Sequence, residues 1–434
     1  MGRGGAGAAS GAGGANEETP LLGLAGTGRA STFKTYFNII ISIVGAGVLG
    51  LPYTFRTSGW AVSAACVTGS AILSYYCMMH LVKCREQLQK QGHRFVHTYG
   101  DLGDAAFGNW GRQFVDVMVL ISQSGCCVAY MIFVGRNVAS AFTGDVAQYG
   151  LVIALLFPLE VLLAWVRSLA GLAPFSIFAD VCNVLAMAIV VKDDVRDVAG
   201  LDHIKALTSW SAMPFAMGVA IYCYEGFGMT LTLHSSMKKP EQFGRTLGIA
   251  FILITSLYLS FGFIGYLAYG DETQDIITLN LPNDWTTIAV KLGLSVGLFF
   301  TFPVMLYPVH EIFERKLLRS SWFQKHAGSP VLETVGCNAV RGLIVLGIAC
   351  VAVMVPGFGV FISLVGSTVC AMLAFVVPAL LHMQVFWDSS GPLVRAGDFA
   401  LIICGVLFSI YGTYTSALQI FLPSSAKSPN TPHG

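Results

Sequence analysis

Charge is what this 434-residue chain has least of. Asp, Glu, Lys and Arg together make up 11% of it, against about 25% in an average soluble protein. With 55% hydrophobic residues and a mean hydropathy of +0.68, it lacks the polar surface needed to face water and reads as a polytopic membrane protein. The formal net charge is +1 and no basic stripe occurs, so nothing points to a nucleic-acid partner. There is no Asn-x-Ser/Thr acceptor, hence no support for a glycosylated exterior domain. Residues 1–31, rich in Gly, Ala, Ser and Thr, lack the continuous apolar core of a signal peptide and read as a disordered tail. Nearly all eleven cysteines sit inside apolar runs, including the adjacent Cys126 and Cys127; they read as small buried residues with no disulfide framework.

Enzymatic signatures are missing too. No glycine-rich phosphate loop and no His/Cys/Asp cluster of metal-ligand spacing occurs, so neither cofactor nor metal is expected. His93 and His97 are four apart, but a third ligand is wanting. Ser236-Met-Lys-Lys239 matches S-x-x-K only formally, on a charged loop. Asp101 and Asp104, in the loop before the third apolar run, are placed to cap a short helix.

What the chain does have is eleven apolar runs, at about 34–55, 60–83, 113–140, 147–166, 170–191, 212–233, 246–269, 286–309, 338–356, 359–383 and 398–422. A membrane-spanning helix needs ~20 apolar residues. Placing the N-terminus in the cytosol puts 18 of the 25 Lys and Arg on the cytosolic side and 7 opposite, which fixes the orientation and leaves the C-terminus lumenal or outside. Glu17-Glu18-Thr19-Pro20-Leu21-Leu22 resembles an acidic dileucine signal, with Glu17, Leu21 and Leu22 read by sorting adaptors on that same side. Glu160, Arg136 and Lys291 are expected near membrane edges, snorkelling to water.

Two runs are interrupted. The first holds Gly45-Ala46-Gly47, then Gly50 and Pro52. In a helix interior each Gly costs about 1 kcal/mol relative to Ala, and Pro about 3. Backbone that leaves the helix at membrane depth is tolerated only where protein or a wet cavity satisfies it. Close packing of small residues is the other explanation of such a stretch. The sixth run holds Tyr224-Glu225-Gly226-Phe227-Gly228, an ionisable residue near mid-membrane flanked by glycines. Such a carboxylate costs several kcal/mol, which makes it a functional candidate. If 32–191 and 212–383 are two five-helix copies, each break lies in the first helix of a copy; five is odd, so the second copy is inverted, and 398–422 stands outside the pair.

Several stretches together resemble the amino acid/auxin permease family, and closely the plant vacuolar amino acid transporters of the AVT type. They are Asn38 through Pro52, Tyr99-Gly-Asp-Leu-Gly-Asp104, Ser176-Ile-Phe-Ala-Asp180, Tyr224 through Gly228, and Thr301-Phe-Pro303. The resemblance implies an all-α fold of about eleven spans with inverted five-helix repeats and broken helices 1 and 6, the leucine-transporter-type or APC fold. It also implies secondary transport of small, mainly neutral amino acids across the vacuolar or lysosomal membrane. One departure is Leu231-Thr-Leu-His234, where relatives usually read Leu-Pro-Leu-Glu.

An amino acid needs two opposite charges answered. Free amides near Ser42, Val44, Gly45, Ala46 and Gly47 suit its carboxylate, and carbonyls near Tyr222, Tyr224 and Gly226 its ammonium. Tyr224, Phe227 and, more weakly, Tyr130 would limit side-chain size. Glu225, with Asp180 second, is the candidate proton carrier, in a cycle moving protons and substrate toward the cytosol. Sodium is the lesser alternative, for which Asn38, Ser295 and Thr301 offer oxygens. A membrane amino acid sensor and a channel are the remaining readings.

Overall fold

A computed structural model describes residues 30–92, 96–166, 178, 181–182, 184–192, 204–282, 284–326, 329–355 and 357–421. The tail signal at Glu17, Leu21 and Leu22, the residues His93 and Asp180, and half of the fifth run lie outside the described residues. Among the described residues every regular element is helical, and the one β-bridge joins Ala30 to Met237.

The first run is two helices, α1 (Thr32–Ile43) and α2 (Leu51–Ser58), separated by Val44, Gly45 and a 3-10 turn over Ala46–Gly50. Ser31 caps α1 by accepting from the Lys34 amide, and Pro52 occupies the first turn of α2, where its missing N–H costs nothing. The pair is bent by 47°. Then come α3 (Trp60–Lys90), α4 (Tyr99–Thr143) and α5 (Tyr149–Ala164).

The sixth run is again split, into α6 (Met213–Cys223) and α7 (Phe227–Ser236). It is followed by α8 (Phe243–Tyr269), α9 (Trp285–Arg319), the short α10 (Ser321–His326) and α11 (Pro330–Met354). α12 (Phe358–Val365) passes through two π-helical turns, Gly366–Cys370 and Met372–Val376, into α13 (Val377–Phe386), and α14 (Pro392–Phe421) closes the fold.

Eight helices among the described residues are long and apolar enough to span a membrane, and the bent α1–α2 pair makes a ninth candidate. The shortfall from eleven runs has two sources. The sixth run is divided into helices of 11 and 10 residues, each too short alone, and half of the fifth is outside the described residues.

The third run also departs from expectation. Its helix starts at Tyr99 rather than near 113, because Thr98 and Asp101 form a reciprocal capping box. Asp101 is thus the capping residue, while Asp104 sits 3.8 Å from Arg112. Gly108, at φ 68° and ψ −162°, breaks the helix, and the first segment folds back so closely that a Cβ on Gly103 would lie 2.8 Å from the Gly111 carbonyl oxygen.

The core runs through the π-turn span. α6 packs on α3, on α12 and on the first π turn, so tightly that a Cβ on Gly366 would fall 1.9 Å from the Gly218 oxygen. α5 and α14 sit outside, with Leu151, Leu155 and Leu162 on one and Ile403, Leu407 and Ile410 on the other exposed as lipid-facing side chains. All eleven cysteines are free thiols, eight of them buried, which agrees with their reading as packing residues.

The expected snorkelling of three charged side chains is corrected. Lys291 is buried and its ammonium donates to the Ser140 hydroxyl at 3.0 Å. Glu160 is buried beside a small cavity between α4, α5 and α9 that Tyr130, Leu156 and Phe302 also line. Arg136 pairs with Asp275. Packing between helices, which a run of apolar letters does not reveal, turns these groups inward.

Candidate functional site

The two interruptions meet. A Cβ on Gly47 would lie 3.0 Å from the Tyr222 ring and 3.1 Å from the Cys223 sulfur, and one on Gly226 would lie 2.9 Å from Ile43 Cγ1. The Tyr258 hydroxyl, reaching in from α8, lies between the last carbonyls of the two half-helices, 3.3 Å from Ile43 O and 3.0 Å from Cys223 O. These carbonyls are orphans of the helix ends, and one phenol serves both.

Past the first break, the 3-10 turn begins with Val48 N–H donating to Gly45 O at 3.4 Å. The amides of Gly45, Ala46 and Gly47 have no backbone acceptor among the described residues. They sit at a helix start, where partial positive charge gathers. Gly45 faces open space: nothing lies within 4 Å of where its Cβ would be, and the same holds for Gly228 across the second break. Ser42 donates to Ile39 O within its own helix at 2.9 Å, so among the expected site residues it offers only a lone pair.

At the second break, Tyr224 and Glu225 amides turn back to Ala220, Ile221 and Tyr222 carbonyls, ending α6. Tyr222 is buried against Gly47. Tyr224 turns toward α8 instead, donating to the Thr255 hydroxyl at 2.9 Å and stacking on Phe251. Glu225 accepts from Ser122 of α4 at 3.4 Å, while its Oε2 is buried without a hydrogen-bond partner. Gly226 and Phe227 start α7, with Phe227 buried.

The two hydroxyls proposed for sodium donate within their own helix and keep their oxygen lone pairs. Ser295 donates to Lys291 O at 2.7 Å and Thr301 to Gly297 O at 2.9 Å, each within α9. Asn38 is only partly buried, and its Nδ2 has no hydrogen-bond partner.

Four sets of polar contacts that the sequence does not announce frame the site. Ser122 and Tyr258 hide in long apolar runs, and nothing in their neighbours distinguishes them. At one end of the bundle Asp275 accepts from Arg136 and from the Phe358 amide that starts α12, at 2.8 Å for the latter. At the other end Arg85 donates to Leu231 O and lies 3.1 Å from His234 Nδ1, and His234 Nε2 lies 3.4 Å from Glu86. The histidine that departs from the family pattern thus closes a polar cluster between α3 and α7. Beside it Ala30 pairs with Ser236 and Lys238 through two backbone bonds of 2.9 Å.

Residues 28–418 match the family model for transmembrane amino acid transporter proteins. The chain belongs to that family. Its relatives include amino acid transporter ANT1 of Arabidopsis thaliana, 45% identical over 418 residues, covering 93% of this chain and 96% of that one. Amino acid transporter AVT3B of the same plant is 41% identical over 421 residues, covering 94% and 98%. More distant is the proton-coupled amino acid transporter-like protein pathetic of Drosophila melanogaster, 27% identical over 410 residues, with 89% and 84% covered. Among solved structures, the inward-facing conformation of Mhp1 superposes with a TM-score of 0.57 at 12% identity, covering 91% of this chain and 90% of that one. The fold is therefore the leucine-transporter-type, or APC, fold, and this family member is a membrane transporter, not an enzyme.

Proposed function

We propose that this chain is a secondary active transporter of small, mainly neutral amino acids, working by alternating access across the vacuolar or lysosomal membrane. Protons move with substrate toward the cytosol. The observation that carries the reading is the meeting of two broken helices at one phenol, Tyr258, with the amides of Gly45 to Gly47 lacking backbone acceptors beside them. Those amides take the substrate carboxylate, and carbonyls of the Tyr222–Gly226 segment take its ammonium, as half-helix ends do in transporters of inverted-repeat design. Residues 32–191 and 212–383 form the two repeats, with 398–422 outside them. The N-terminus faces the cytosol and the C-terminus the lumen, and sorting adaptors read Glu17, Leu21 and Leu22.

Glu225 is the proton carrier because it is the carboxylate within the second break, joined to α4 through Ser122 and with one oxygen buried without a hydrogen-bond partner; Asp180 is the second candidate. One observation supports protons over sodium: a relative's name states proton coupling.

The deciding experiment is uptake of a panel of amino acids into proteoliposomes, with pH and sodium gradients imposed separately. A pH gradient alone should drive concentrative uptake of small neutral amino acids. Sodium-driven uptake at equal pH would reverse the choice of ion, binding without counterflow would indicate a sensor, and flux without saturation a channel.

A further inference from the structure

Away from the substrate site, a buried cation sits where α7 ends. Arg85 of α3 is 5% exposed, and its guanidinium meets Leu231 O and His234 Nδ1, both of α7, at 3.1 Å each. His234 is buried too, with its ring edge-to-face against Phe243 of α8. A guanidinium can only donate. The bond therefore requires a lone pair on Nδ1 and puts the ring proton on Nε2, which faces Glu86 Oε1 across 3.4 Å without a hydrogen bond. His234 is thus a neutral acceptor held between a cation and a carboxylate.

The contact joins two parts that alternating access must move apart. α7 is the half-helix after the second break, and it packs on α1, the half-helix before the first. Ala30, just ahead of α1, bonds through its backbone to Ser236 and Lys238, and the Thr32 hydroxyl donates to Gln242 at 3.1 Å. α1 and α7 therefore form one leaf, and Arg85 ties that leaf to α3. Other charged groups on the elements around His234 stand aside. Lys83 of α3, Lys34 of α1, Lys238, Lys239, Glu241 and Arg245 are exposed, and Asp101 and Asp104 of α4 face Arg112. Among the described residues no acid but Glu86, Asp116 of α4 included, comes within ion-pair distance of the ring.

We propose that Arg85 and His234 form a latch, released by a proton, that holds the leaf of α1 and α7 against α3 and so gates the site at that end. A proton on Nδ1 sets an N–H against the guanidinium N–H groups and a second positive charge beside a buried one. Glu86, 46% exposed, answers that charge weakly because water screens it. The bond to Nδ1 is lost, and Arg85 keeps only Leu231 O on α7. With the N-terminus in the cytosol, as the transport reading has it, this end faces the cytosol, and acidity there frees α7 from α3. The inference rests on that reading for its direction alone; the latch does not depend on which solute moves.

The test is amide hydrogen exchange of the purified full-length protein in detergent, read by mass spectrometry between ~pH 8 and ~pH 5, the interval over which histidine changes charge. Rates are corrected for intrinsic exchange. Peptides covering 228–238 should exchange more than about tenfold faster at the acid end, the weight of one hydrogen bond to a charged group. His234→Gln offers a carbonyl to Arg85 and an amide to Glu86 but cannot titrate, so its exchange should stay slow throughout. His234→Ala lacks the acceptor and should exchange fast throughout. Glu225→Gln should keep the wild-type response, and because exchange needs no flux, the latch stands or fails apart from the transport reading. Wild-type exchange indifferent to pH, a pH response that survives in His234→Gln, or one that vanishes in Glu225→Gln would overturn the latch.

Discussion

Glu225 and Gly47 carry the sharpest consequences of the two breaks. Glu225→Gln keeps the shape and the contact with Ser122 but cannot exchange a proton, so uptake should lose its dependence on a pH gradient while substrate binding persists. Transport of the variant at several imposed gradients checks this, and a retained pH response would remove Glu225 as carrier. Gly47→Ala places a methyl 3.0 Å from the Tyr222 ring, in a contact with little room to give. Overpacking of this kind costs about 1–3 kcal/mol, and uptake should fall at least tenfold. Gly45→Ala, with open space at its Cβ, should retain its fold and change only substrate affinity. Equal loss in both variants, read as KM and Vmax, would mean that helix propensity rather than space governs this stretch. The glycines were visible in the sequence as an anomaly. Which of them is packed and which is open was not, because that depends on where α6 lies.

Among elements, α12 and α4 are joined through Asp275. Its carboxylate takes both the Arg136 guanidinium and the first amide of α12, and the two charged side chains are only 13% and 15% exposed. Removing one member of a buried pair strands the other at a cost of ~3–5 kcal/mol, and residual exposure reduces this to about 1–3 kcal/mol here. Asp275→Asn keeps an acceptor for Phe358 and should be milder than Asp275→Ala; thermal unfolding of both variants and of Arg136→Ala checks the order. Arg136 alone reads as a snorkelling side chain at the end of an apolar helix. Its partner lies 139 residues away, in a connection between α8 and α9 whose path no local pattern specifies.

The molecule as a whole is a bundle whose two interrupted spans lie at its centre, while α5 and α14 face lipid. The proposed sorting signal lies in the tail, outside the described residues, so the prediction there is made on sequence. Leu21→Ala with Leu22→Ala should move the protein to the cell surface, as microscopy of a tagged full-length chain would show; retention at the vacuole or lysosome would discard the signal. The sequence by itself determined that the chain lives in a membrane, since 11% charge cannot cover a water-facing surface. It also determined where two spans break, since Gly and Pro act on the backbone locally. Only the tertiary structure decided that the breaks face each other across Tyr258, that Lys291 and Glu160 turn inward, and that His234 lies between Arg85 and Glu86. Those are contacts between residues far apart in the chain. Hydropathy and local propensity describe each helix alone and hold no information about which helix it will meet.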